Sequence, residues 1–171
     1  MKVALTPPAI EQHAYYWLFQ RNQQKIGVHV VNGWCTQLRE EEPLYFDADE
    51  RCVLLMILLE LTPGEFTQHL ADAKRLRPEY SENIKHFPLT RLLGYTLHSA
   101  LSDYWPSKAL DWLDEHVALQ HLLANELDYT STNKSLSQSL RQRAKRMVRG
   151  LLSDAMRKPA HRKDVFSLRG V

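Results

Sequence analysis

The chain has 171 residues, 44% of them hydrophobic and 25% charged, with a formal net charge of +2 at pH 7. These values fit one globular domain that buries ~70% of the surface its unfolded form exposes, and they exclude wholesale disorder. The near-neutral total conceals a reversal: residues 1–140 hold 12 Lys/Arg against 18 Asp/Glu, whereas residues 141–171 hold 10 against 2.

In chain order, Pro7-Pro8 suits a first helical turn, and Ile10, Ala14, Trp17 and Leu18 then fall on one face, which predicts a helix over residues 8–24. Between Lys25 and Leu38 the apolar residues Ile26, Val28 and Val30 alternate while Gly27 and Gly33 interrupt, the pattern of a short strand or irregular loop. Arg39 to Pro43 reads as a loop. Asp47, Asp49 and Glu50 place negative charge at the start of a helix whose core runs from Val53 to Leu61, expected to be buried nearly all round. Thr62-Pro63-Gly64-Glu65 combines a capping threonine, a proline at the first helical position and a glutamate three residues after the threonine. This capping box starts a helix that ends near Leu76.

A helix from Pro88 should turn Leu89, Leu92, Leu93, Thr96, Leu97 and Ala100 inward. The next, capped by Ser102 or Asp103, begins near Trp105-Pro106 and runs through Trp112 and Val117, with room to continue to Leu127. After a polar break at Thr130 to Asn133, the last helix covers residues 134–157, with Leu136, Leu140, Ala144, Met147, Val148, Leu151, Leu152 and Ala155 on one side and Lys/Arg on the other. The expected fold is therefore all-α: a single-domain bundle or stack of helical hairpins over residues 1–157, with room for one short β-hairpin near 26–38. A basic, flexible tail over 158–171 completes it. Leu55, Leu58, Leu93, Leu97, Trp112 and Leu151 are expected in the core.

Cys35 and Cys52 are too far apart for a metal knuckle and too few for a disulfide framework, which favours a reducing cytoplasm. The apolar run from Cys52 to Leu59 is far shorter than the about twenty residues of a membrane-spanning helix. Of the histidines, His116 and His121 are wrongly spaced for a ligand pair on a helix, and His69 with Asp72 lacks a third ligand. No cofactor or metal is expected.

Charge carries the functional reading. The run Glu40-Glu41-Glu42 and the pair Asp111 and Asp114 would suit a cationic partner, because complementary charge speeds association and suppresses wrong partners. Arg141, Lys145 and Arg149 step by four along the last helix and, with the cations up to Lys163, could neutralise phosphates, or else pair with the acidic body.

Two family resemblances follow from short segments. The segment from Ser102 to Leu113, in which Tyr104-Trp105 is followed by Ala109-Leu110 on a helix of an acidic helical body, resembles a pattern in bacterial immunity proteins that neutralise polymorphic toxins. That resemblance implies a non-enzymatic inhibitor that binds and blocks a toxin domain, with Glu40, Glu41, Glu42, Tyr104, Trp105, Asp111 and Asp114 as the partner-binding residues. Arg91 and His98, with six residues between them, fit the spacing of the helical HEPN ribonucleases, which makes a ribonuclease the distant alternative to a protein without catalysis. The nearer alternative is a small nucleic-acid-binding factor that uses Arg141, Lys145 and Arg149.

Overall fold

The computed structural model describes residues 4–5, 14–46, 49–99 and 102–157. The N-terminal part is a sheet and the remainder is helical, so the expected all-α fold is corrected to a mixed one. Strands β1 (Ala4–Leu5), β2 (Tyr15–Arg21), β3 (Gln24–His29), β4 (Gly33–Leu38) and β5 (Leu44–Tyr45) lie side by side in sequence order, each antiparallel to the next.

The helix expected over 8–24 is replaced by β2 and its turn, residues 8–13 lying outside the described residues. The stripe that suggested a helix leaves Tyr15, Tyr16 and Phe19 on its other faces, so a helix there would turn three large aromatic side chains outward. Aromatic side chains suit a pleated, half-buried surface better. As a strand, β2 sets Tyr16 inward opposite Val28, and a bulge between Trp17 and Phe19 brings both Leu18 and Phe19 to full burial. Asn22-Gln23 closes the β2–β3 hairpin with Asn22 at φ 52°, a left-handed conformation that asparagine tolerates better than most residues.

The short hairpin expected near 26–38 is present as β3 and β4, and it spans residues 24–38. Gly27 is obligatory there, because a Cβ atom would stand 2.2 Å from the Tyr16 carbonyl oxygen of β2.

Residues Asp49–Glu60 form a 3-10 helix in place of the expected α-helix. Its Leu55, Leu58 and Leu59 are buried, but Val53 is half exposed, so burial is not all round. Asp47 lies outside the described residues. Seven α-helices follow: α1 (Pro63–Leu76), α2 (Ser81–Lys85), α3 (Leu89–His98), α4 (Tyr104–Asp114), α5 (Val117–Leu122), α6 (Ala124–Thr132) and α7 (Gln138–Arg157).

The capping box is built as read. Thr62 Oγ1 accepts from the Glu65 N–H at 3.2 Å, and the Glu65 carboxylate accepts from the Thr62 N–H at 2.9 Å. The long helix expected from Trp105 toward Leu127 is instead three. Gln120, buried, folds back to donate to the Leu113 carbonyl at 2.7 Å, a second hydrogen bond beside the one that carbonyl accepts from the His116 N–H at 3.1 Å.

The inner sheet face packs on this helical layer through aromatic pairs: Tyr16 on Tyr80, Phe19 on Phe66 and Trp34 on Phe87, with ring centroids 5.3, 5.5 and 4.8 Å apart. Asn83 on α2 donates to the carbonyls of His29 and Val30, pinning the β3–β4 hairpin to the helices. All six expected core residues are buried. On α7, Leu140, Ala144, Met147 and Leu151 face inward as expected, but Leu152 is exposed because it lies off that stripe. The expected tail, 158–171, lies outside the described residues.

Candidate functional site

Glu40, Glu41 and Glu42 are exposed on the β4–β5 connection. Arg39, at φ 55°, turns the chain there, its N–H donating to the Gln23 carbonyl at 2.7 Å and its Nε to Gln23 Oε1 at 3.0 Å. The three glutamates therefore sit at the same end of the sheet as the β2–β3 turn. Glu40 and Glu41 line a shallow cleft of about 900 Å³ with Lys25 and Arg39. Glu41 also lines a cleft of about 490 Å³ together with Arg21, Leu38, Arg39 and Ile57. Glu42 follows on the same connection, exposed.

Tyr104 is drawn to this end as well. Arg21 Nη1 is paired with Glu60 Oε1 at 3.1 Å, and the Tyr104 hydroxyl donates to the same oxygen at 3.4 Å. Partial desolvation and the Glu60 charge raise the Tyr104 hydroxyl above its ordinary pKa. Its ring stands edge-on to Trp105, with centroids 4.9 Å apart, and Trp105 itself is half-buried against the core. Tyr104 thus remains the exposed aromatic and Trp105 its support.

Asp111 and Asp114 lie farther along the exposed strip of α4, and both carboxylates are taken by α7. Arg143 Nη1 binds Asp111 Oδ1 at 2.8 Å, and Nη2 binds Asp114 Oδ2. Burial works to lower the Arg143 pKa, but the two carboxylates outweigh it and leave the guanidinium raised. Among the described residues, this clasp is the ion pairing that joins the acidic body to the basic helix.

The remaining cations of α7 divide. Arg141 is half-buried, its Nε enclosed without a hydrogen-bond partner, whereas Lys145, Arg146 and Arg149 are exposed and make no ion pair among the described residues.

Arg91 and His98 are two turns apart on one face of α3, and both line a groove of about 660 Å³ with Tyr95 and Glu126. His98 is stacked on Tyr129 at 4.4 Å, and no hydrogen bond among the described residues orients its ring nitrogens. Arg91 donates to the Phe46 carbonyl at 3.2 Å. His69 serves packing: its Nε2 is 2.8 Å from the Leu18 carbonyl oxygen, and burial lowers its pKa. Among the described residues no three His, Cys, Asp or Glu side chains are placed to hold a metal ion, and no helix is long and apolar enough to cross a membrane.

Sequence reasoning missed the outer face of the sheet, where β2, β3 and β5 present half-buried Tyr15, Trp17, His29 and Tyr45. Tyr15 and Trp17 lie parallel at 5.3 Å, and the Tyr15 and Tyr45 hydroxyls are 3.2 Å apart. That hydrogen bond, with burial, raises the Tyr15 hydroxyl to about 12. Cys35 lies on the same face, fully buried, and desolvation pushes its thiol to about 12, far from a reactive thiolate. The alternation of Tyr15 and Trp17 before the Asn22 turn was the available signal.

No protein-family model matches the chain, and no curated protein or solved structure is significantly similar to it.

Proposed function

We propose that the chain is a non-enzymatic protein-interaction module of the immunity type, which binds a cationic partner and blocks it. Its docking surface is the end of the molecule formed by Glu40, Glu41, Glu42 and Tyr104. The observation behind this reading is the convergence of two distant segments: Glu41 shares a cleft with Arg21, and Arg21 connects through Glu60 to the Tyr104 hydroxyl. An exposed tyrosine held in one position is a low-entropy anchor, and carboxylates around it steer a cationic partner. Asp111 and Asp114 take a lesser part, because a partner cation would have to displace Arg143 from them.

The test is co-expression with the product of the gene directly upstream. Wild type should restore growth arrested by that product, and a variant combining Glu40→Gln, Glu41→Gln, Glu42→Gln and Tyr104→Ala should lose protection while keeping its far-ultraviolet spectrum. An upstream product that is harmless, or a variant that protects fully, would overturn the reading.

A further inference from the structure

The cations of α7 are not equivalent. Arg143 faces α4 and is held by two carboxylates, and Arg141 is partly enclosed. Lys145, Arg146 and Arg149 point away from the body, exposed and without an ion pair among the described residues. Lys145 and Arg149 are one helical turn apart, and Arg146 is three residues from Arg149, so the three form a single short ridge. Gln142 and Ser153 extend it at either end, both exposed.

We propose that this ridge binds the phosphate backbone of a nucleic-acid duplex, independently of base sequence. Two features select that partner. The apolar stripe of α7, from Leu140 to Leu151, is buried against the protein, so the helix has no apolar face to lay into a membrane. The ridge carries no aromatic residue and of large apolar residues only Leu152 adjoins it, so beyond its cations it offers no apolar or aromatic anchor of the kind that centres a protein interface. A phosphate backbone needs neither, since release of condensed counterions supplies the affinity. The ridge is distinct from the Glu40 and Tyr104 surface, and the two activities stand or fall separately.

The clasp supplies a built-in control. Removing the charges of Asp111 and Asp114 frees Arg143 to join the ridge.

The experiment is fluorescence anisotropy of a labelled DNA duplex titrated with the full chain between 50 and 200 mM salt. The wild type should bind with a negative log–log salt slope. The variant Lys145→Gln/Arg146→Gln/Arg149→Gln should flatten that slope by about 0.9 per lost contact, hence by about 2.7. Asp111→Asn/Asp114→Asn should steepen it by up to about 0.9. All the substituted residues are exposed, and an unchanged far-ultraviolet spectrum verifies the fold. Absence of wild-type binding, or an unchanged slope in the triple variant, overturns the proposal. So does binding to phosphatidylserine vesicles or to polyglutamate without binding to the duplex.

Discussion

Gly27→Ala tests the sheet at its tightest point. The added methyl would stand 2.2 Å from the Tyr16 carbonyl oxygen and 2.7 Å from the Trp17 Cα, both backbone atoms of β2. Neither atom can rotate away as a side-chain tip would. Ordinary contact then requires the two strands to part by about 1 Å, which breaks or stretches two or three ladder hydrogen bonds worth ~1 kcal/mol each. Overpacking strain adds ~1–3 kcal/mol, for a combined cost of ~3–6 kcal/mol. That is a large share of the ~5–15 kcal/mol by which a domain is stable, and at this chain length it lowers the melting temperature by roughly 6–24 °C. Urea unfolding followed by circular dichroism measures it. A loss below about 1 kcal/mol, well short of what overpacking against backbone costs, would show that β2 and β3 do not meet as described.

Thr62→Ala removes the hydroxyl that accepts from the Glu65 N–H and should cost ~1 kcal/mol in the same assay, whereas a change indistinguishable from zero would deny the capping box a role. His69 titrates below its ordinary value because it is buried. As pH falls past about 6.5 the unfolded chain takes the proton first, so stability is full above that pH and is lost as pH falls through the folded pKa. Unfolding midpoints between pH 5 and 7 should therefore decline in the wild type and decline less in His69→Gln; parallel curves would refute it. Purified protein incubated with labelled RNA and DNA should leave both intact, and cleavage abolished by His98→Ala would favour the ribonuclease alternative.

Local signals were legible where a few neighbouring residues sufficed. Thr62 and Glu65 announced α1, and the apolar spacing from Leu92 to Leu97 gave the buried face of α3. The stripe from Leu140 to Leu151 did the same for α7. The N-terminal strands were misread because Trp17 and Leu18 satisfy a helical period by chance, and a bulge after Trp17 breaks the alternation that marks a strand. Nothing within residues 105–127 announces the breaks, since the stretch lacks glycine and a second proline, and the carbonyl at the end of α4 takes one of its two hydrogen bonds from Gln120 beyond the turn.

The site was half legible for a related reason. Exposed acids and cations are visible as composition, but which ones cancel depends on tertiary placement. Arg143 reaches Asp111 and Asp114 only because α7 packs on α4. Glu41 and Tyr104 are linked through Arg21 and Glu60, neither of which the sequence marks as a site residue.

The most direct measurement of the central claim is the association rate with the cationic partner, recorded by stopped flow across a range of ionic strength. The Glu40→Gln/Glu41→Gln/Glu42→Gln variant should associate more slowly than wild type and with a weaker salt dependence, because it loses the carboxylates that steer encounter. The Lys145→Gln/Arg146→Gln/Arg149→Gln variant should associate at the wild-type rate or faster. A glutamate variant that matches wild type, or an α7 variant that alone loses the partner, would contradict the assignment of the docking surface to the Glu40–Glu42 end.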